Sequence, residues 1–130
     1  MKAIPLFKPY VSWLARIYAM KVLCGTQLAE GPVVRTFERE FAERYDLQNV
    51  VAVNSGTRAL ELAYELAGIG PGDEVITPVL TCTATNLPLV RRGARIVFAD
   101  INDSLNISVE DVARKIQPRT KAIVFVHLGG

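Results

Sequence analysis

Cysteine, histidine and tryptophan are scarce in this 130-residue chain, with two, one and one respectively. Cys24 and Cys82 lie far apart and match no metal-ligand spacing, which excludes a zinc cluster and leaves no metal site to expect. No secretory signal precedes them, so both thiols are expected reduced in a cytosolic, cytoplasmic protein. An excess of charge of one sign is also missing. Fifteen basic against thirteen acidic residues leave +2, too small a surplus to point to nucleic acid or a membrane surface. Runs of like charge, low-complexity tracts and internal repeats are missing. So is a long apolar run. The most apolar helical stretch, Val11 to Leu23, is interrupted by Arg16 and Lys21 and falls short of the ~20 residues a bilayer span needs.

What remains is the balance of a globular protein: half the residues are hydrophobic and 22% are charged, and the length suffices for one compact core. Pro5 and Pro9 mark an extended lead-in. From Tyr10 to Leu23 the spacing of Val11, Leu14, Tyr18 and Val22 predicts an amphipathic helix. "CGTQLAEGP" reads as a loop, after which Pro32 suits the first turn of a helix to about Tyr45. Its apolar stripe is Val33, Phe37, Phe41 and Ala42.

The pattern then alternates. Val50–Val53 reads as a strand, Thr57–Ala67 as a helix, "GIGPGD" as a turn and Glu74–Thr77 as a short strand. Thr81–Arg91 reads as a helix that Pro88 should distort, and Arg95–Ala99 as the next strand. Ser108 opens a helix with Asp111 three residues on, close to a capping box, ending near Gln117-Pro118. Lys121–His127 closes the series as the most apolar strand. This alternation predicts an α/β fold with a mostly parallel sheet and helices on both faces. Because "VFVHLGG" follows a buried-type strand with no covering helix, the 130 residues are expected to be the first part of a longer protein, or a truncated copy of one. The division expected is an N-terminal lead-in, helix and loop over 1–31, then an incomplete α/β domain over 32–130.

"NSGT", Asn54 to Thr57, stands where the first strand meets a helix. In open α/β sheets ligands gather beyond the carboxyl ends of strands, and the unpaired N–H groups and dipole of a helix start favour an anion. Gly56 lets the backbone approach closely, while the Ser55 and Thr57 hydroxyls can reach phosphate oxygens. The same small polar residues also make an ordinary helix cap, and local physics leaves both uses open. "GIGPG" follows a helix and precedes a strand, the reverse of a dinucleotide motif, and no Walker sequence occurs. "TCTAT", Thr81 to Thr85, is a second hydroxyl-rich junction one strand further on; two such junctions could converge on one ligand. His127 reads as structural and Asp100 as a turn former.

Taken in order, these segments resemble the DegT/DnrJ/StrS family of pyridoxal-phosphate-dependent sugar aminotransferases. "CGTQLAEGPVVRTFEREFAERY" looks like that family's G-x-L-x-x-G-P-x-V-x-x-F-E opening. "AVNSGTRALELAYELAGIGPGDEVITP" looks like its N-S-G-T-x-A-L segment followed by G-I-G-P-G-D-E-V-I-T-P. "TCTAT", "GARIVFADIN" and "LNISVEDVARKIQPRTKAIVFVHLGG" match later elements. The resemblance implies part of a fold type I large domain and a homodimer with active sites at the subunit interface. The implied reaction carries an amino group from L-glutamate to a nucleotide-linked keto sugar through pyridoxal 5'-phosphate, in polysaccharide biosynthesis. It further implies that Gly56 and Thr57 bind the cofactor phosphate, with Ser55 framing the turn. Cys82 stands where the family often has an aromatic ring on the pyridine face. The family's Schiff-base lysine, and the aspartate that pairs with the pyridine nitrogen, are expected beyond residue 130, since Lys2, Lys8, Lys21, Lys115 and Lys121 match neither. No catalytic residue is therefore expected here, and the chain alone should be inactive. The alternatives are a sugar dehydratase of the same family, with histidine in place of the lysine, and a non-catalytic α/β interaction protein.

Overall fold

The computed structural model describes residues 8–128; most of the proline-bearing lead-in, and the glycine pair after Leu128, lie outside them. The described residues fall into two compact units divided between Ala52 and Val53.

The first unit is helical. Helix α1 covers Trp13–Leu23, starting three residues later than the apolar spacing implies. Ser12 decides the start: its side chain accepts the Ala15 N–H at 3.1 Å, as an N-cap does. Helix α2 covers Pro32–Tyr45 as expected and stops where Asp46 turns left-handed. Its stripe continues in aromatic contacts, with Phe37 and Tyr45 flanking Phe41 at ring separations of 5.7 and 4.6 Å. The expected strand Val50–Val53 does not form. It has no ladder partner among the described residues, Val51 is 64% exposed, and the Ala52 N–H donates instead to the Glu38 carboxylate at 2.8 Å. An apolar, β-branched run has the propensity for a strand, but only a neighbouring strand can satisfy its backbone.

The second unit is the α/β part, in the order α3 (Gly56–Leu66), β1 (Glu74–Pro78), α4 (Thr83–Arg91), β2 (Arg95–Ala99), α5 (Val109–Lys115) and β3 (Thr120–Ile123). The three strands form a parallel sheet in the order β2-β1-β3. Alternation along β1 sends Val75 to one face and Ile76 to the other. On the first face Val75 packs with Tyr64 of α3, Leu89 of α4 and Ile69. On the second, Ile76 packs with Ala99 and Val112 of α5. Helices thus cover both faces, as the buried apolar strands require.

Two helix ends share one device. Gly68 after α3 and Gly93 after α4 both have positive φ, and each is followed by a residue whose N–H returns to the preceding helix: Ile69 to the Tyr64 carbonyl at 3.0 Å, Ala94 to the Leu89 carbonyl at 3.1 Å. These are Schellman closures. At the start of β1 the buried Glu74 carboxylate accepts from Arg119 Nε at 3.1 Å and from the Thr120 hydroxyl at 3.2 Å, tying β3 to β1.

Three boundaries in the second unit differ from the sequence pattern by two residues or more. Helix α4 begins at Thr83 and runs through the buried Pro88 to Arg91. Helix α5 stops at Lys115, two residues before Gln117. Strand β3 ends at Ile123 although the apolar run continues to Val126. Its partner β1 ends at Pro78, and the last backbone bond between them is Val124 N–H to the Ile76 carbonyl at 2.8 Å.

Candidate cofactor site

Ser55 caps α3. Its backbone is extended, its hydroxyl accepts the Arg58 N–H at 3.3 Å and its carbonyl accepts the Ala59 N–H at 3.0 Å. The cap therefore engages the third N–H of the helix and leaves those of Gly56 and Thr57 at the open end, where no preceding turn can accept them. The first turn has no acidic residue, so nothing there opposes an anion. A Cβ built on Gly56 would meet nothing within 4 Å. The space above this glycine is open, and no packing among the described residues demands a glycine there. Cap and anion site are thus compatible: the Ser55 hydroxyl accepts from Arg58 and gives its own proton to the Asn54 Oδ1 at 3.5 Å, a long bond that a phosphate oxygen would replace. Two N–H groups, two hydroxyls and a helix start make a donor set that fits a phosphate.

Arg58 lies beside this turn and pairs with Glu61, which also accepts from Arg91 at 3.1 Å. The Arg58 hydrogen bond, and its charge with that of Arg91, hold the Glu61 carboxyl below its ordinary range.

The second junction begins α4, beyond the carboxyl end of β1. The strand leaves the sheet with Val79 donating to the Ala99 carbonyl at 2.9 Å. Cys82 is the N-cap, exposed, and its thiol makes no capping bond. The Thr81 and Thr85 hydroxyls bond to each other at 2.8 Å, and the Tyr64 hydroxyl donates to the Thr85 carbonyl at 3.0 Å. Helices α3 and α4 pack together, so Ser55, Gly56 and Thr57 begin one of two neighbouring helices and Cys82 caps the other. No hydrogen bond joins the two junctions among the described residues.

The remaining residues singled out in the sequence fall elsewhere. Asp100 is a turn former: its carboxylate accepts the Ile101 N–H at 2.8 Å and its carbonyl the Ser108 N–H. The His127 ring stands edge-on to Phe125 at 5.4 Å. Lys115 donates to the Phe98 carbonyl and to Asp111, Lys121 to the Gly68 carbonyl and Asp73, and Lys21 lies 5.5 Å from the Tyr18 ring centre. No set of three metal-binding side chains occurs among the described residues.

Asp111 carries more than the capping pattern suggests. Ser108 caps α5 by accepting the Asp111 N–H at 3.2 Å, but the Asp111 carboxylate does not complete the box. It accepts instead from Lys115 at 2.6 Å, the Asp100 N–H at 2.7 Å and Arg114 at 3.0 Å. The spacing of Arg114 and Lys115 signals two of these bonds; the third needs β2 to end beside α5, which no local pattern states.

The sequence profile of the DegT/DnrJ/EryC1/StrS aminotransferase family matches residues 15–130. The chain belongs to that family. It is 50% identical over 104 residues to the spore coat polysaccharide biosynthesis protein SpsC of Bacillus subtilis, covering 79% of this chain and 27% of SpsC. It is 41% identical over 129 residues to the GDP-perosamine synthase of Vibrio cholerae, covering 98% of this chain and 35% of that protein. Among solved structures, Spr1654 of Streptococcus pneumoniae in its PMP form superposes with a TM-score of 0.89 at 31% identity, over 98% of this chain and 32% of that one. The sugar aminotransferase CalS13 of Micromonospora echinospora does so with a TM-score of 0.84 at 38% identity, over 97% and 35%. The chain thus spans about a third of the length of these relatives. No helix among the described residues is long and apolar enough to cross a membrane.

Proposed function

We propose that this chain supplies the phosphate-binding part of the cofactor site in a pyridoxal-phosphate-dependent aminotransferase acting on nucleotide-linked keto sugars. The observation that carries the reading is the start of α3, where Ser55 caps the helix, the Gly56 and Thr57 N–H groups are left at its open end and a Cβ on Gly56 would meet nothing within 4 Å. Pyridoxal phosphate, when bound, supplies the electron sink that lets an amino group leave L-glutamate and pass to a keto carbon. The protein residues act at its other end. The Gly56 and Thr57 N–H groups would hold the phosphate oxygens, the Ser55 and Thr57 hydroxyls would add donors, and the helix start would contribute about 0.3–2 kcal/mol through its dipole. These bonds anchor the cofactor so that its reactive carbon is presented in one orientation. Cys82, exposed at the start of α4, would offer the cofactor ring a soft contact in place of an aromatic stack.

On this reading residues 32–130 are the first part of the large domain, preceded by the lead-in, α1 and the loop. The functional unit is a cytoplasmic homodimer serving polysaccharide biosynthesis. None of the chain's lysines carries the cofactor, so the chain by itself is inactive.

Titrating the 130-residue chain with pyridoxal phosphate, and separately with inorganic phosphate, tests this through the amide resonances of Gly56 and Thr57. Both ligands are expected to move these two signals in the same direction, with no borohydride-reducible attachment at any lysine. Unchanged Gly56 and Thr57 signals at millimolar ligand, or a reducible adduct on a specific lysine, refute the respective halves of the proposal.

A further inference from the structure

Side chains, not a strand, engage the outer edge of β2. This strand pairs with β1 on one side and with no strand on the other among the described residues. Its odd-numbered residues turn their backbone groups to β1. The Arg95 N–H donates to the Asp73 carbonyl and the Ala99 carbonyl accepts the Val79 N–H, both at 2.9 Å. Successive residues of a strand offer their backbone groups to opposite edges, so those of Ile96, Phe98 and Asp100 point outward. An outward row of this kind is a template for another strand.

Three of these outward groups have partners. The Phe98 carbonyl accepts from Lys115 Nζ at 2.8 Å, the Asp100 N–H donates to the Asp111 carboxylate at 2.7 Å, and the Asp100 carbonyl accepts the Ser108 N–H at 2.8 Å. The first two are the decisive pair. A strand laid parallel on this edge would set one residue opposite Ala99, its N–H on the Phe98 carbonyl and its carbonyl on the Asp100 N–H. Lys115 supplies that donor and Asp111 that acceptor. The two side chains stand one turn apart on α5 and bond to each other at 2.6 Å. Donor and acceptor are thus held as one unit, and Arg114 secures the other oxygen of the buried Asp111 carboxylate at 3.0 Å.

We infer that the Asp111–Lys115 pair is a strand surrogate: it occupies the Phe98 carbonyl and the Asp100 N–H and so closes the outer edge of β2 to a second copy of this chain. The strand needs such closure. "RIVFA" is apolar and β-branched apart from Arg95, and Phe98 is 49% exposed, which is the composition that pairs with its own copies. An incoming strand brings neutral amide groups, and bonds to charged groups are the stronger ones. It would have to break both of them to seat a residue opposite Ala99. The outward groups left free lie at the amino end of a strand only five residues long. Every part of the device falls within residues 98–115, and it is independent of the cofactor reading.

The test offers the full 130-residue chain a synthetic peptide copying residues 95–101 and follows the amide signals of Phe98 and Asp100. Wild type is expected to leave both unmoved, with slow exchange at Asp100. The double substitution Asp111→Ala and Lys115→Ala should speed exchange at Asp100 about tenfold. It should also let the peptide shift both signals at concentrations where wild type shows no change. Lys115→Ala alone frees only the Phe98 carbonyl and should give a smaller shift, while Lys115→Arg restores a donor and should refuse the peptide. Both single variants keep Asp111 with Arg114, so they decide the matter even where the double variant fails to fold. Wild type that takes up the peptide at Phe98 and Asp100 as readily as the variants overturns the inference. So does Lys115→Ala that binds no better than Lys115→Arg, or a peptide that shifts only residues 120–124, since β3 would then be the edge that accepts it.

Discussion

The Tyr64 hydroxyl donates to the Thr85 carbonyl at 3.0 Å, joining the inner face of α3 to the first turn of α4. One buried hydrogen bond thereby ties the C-terminal part of α3 to the start of α4. Tyr64→Phe keeps the ring in the core and removes only the donor. A loss of about 0.5–1.5 kcal/mol in urea unfolding is expected. Burial also pushes the Tyr64 phenol above its ordinary value of 10.0. Its contribution is therefore complete below that value and lost as the pH rises through it, because the unfolded chain ionises first. The wild-type chain should lose stability faster than Tyr64→Phe between about pH 9 and 11; parallel curves for the two would show that the phenol does not stay protonated by burial.

The two Schellman glycines separate backbone strain from crowding. Gly68 has φ of 64° and Gly93 of 74°, so an L side chain is strained at either, by about 1–2 kcal/mol. A Cβ at Gly68 would meet only the end of the Lys121 side chain at 3.7 Å, whereas at Gly93 it would meet the Pro71 ring at 3.2 Å. Gly93→Ala should therefore cost more than Gly68→Ala by chemical denaturation. Equal losses would mean that the Pro71 ring yields freely.

Much of this was legible in the sequence wherever local chemistry decides the outcome. Pro32 and Tyr45 bound α2 and Arg95 and Ala99 bound β2 as their patterns imply, and Ser55 and Ser108 sit at helix starts because short hydroxyl side chains satisfy first-turn N–H groups. What failed depended on partners. Val50–Val53 has strand propensity but no neighbouring strand, and 124–127 continue an apolar run past the point where Pro78 ends the ladder. Asp111 had a capping position that could be read, yet its carboxylate turns to the Asp100 N–H because β2 ends beside α5. The residues proposed for the cofactor were recognisable as a motif, while the open space above Gly56 is visible only in three dimensions.

Lys115 above all, then the Asp100 N–H and Arg114, hold the Asp111 carboxyl far below the usual carboxylate range. A folded-state value below the unfolded one means that the stabilisation is present above the unfolded value, 3.8, and is lost as the pH falls below it. Asp111→Asn keeps the shape but removes the charge. The melting temperature at pH 7 should fall relative to wild type, and the gap should narrow as the pH approaches 3. A gap that persists undiminished at pH 3 would assign the effect to packing rather than to the carboxylate.

Gly56→Ala divides stability from ligand binding at the candidate site. Nothing among the described residues occupies the place of the added methyl group, and alanine restricts the unfolded chain more than glycine does. Folding stability should therefore be unchanged or raised by less than about 1 kcal/mol. The methyl group would, however, fill the space in which a phosphate oxygen approaches the Gly56 and Thr57 N–H groups. Affinity for pyridoxal phosphate, followed through the Thr57 amide, is expected to fall about tenfold, or ~1.4 kcal/mol. Thr57→Val, which removes a hydroxyl but leaves the N–H groups free, should weaken binding by a smaller factor, because one neutral hydrogen bond contributes about 0.5–1.5 kcal/mol. If Gly56→Ala binds as tightly as wild type while Thr57→Val does not, the phosphate approaches from the hydroxyl side and the open space above Gly56 serves no ligand.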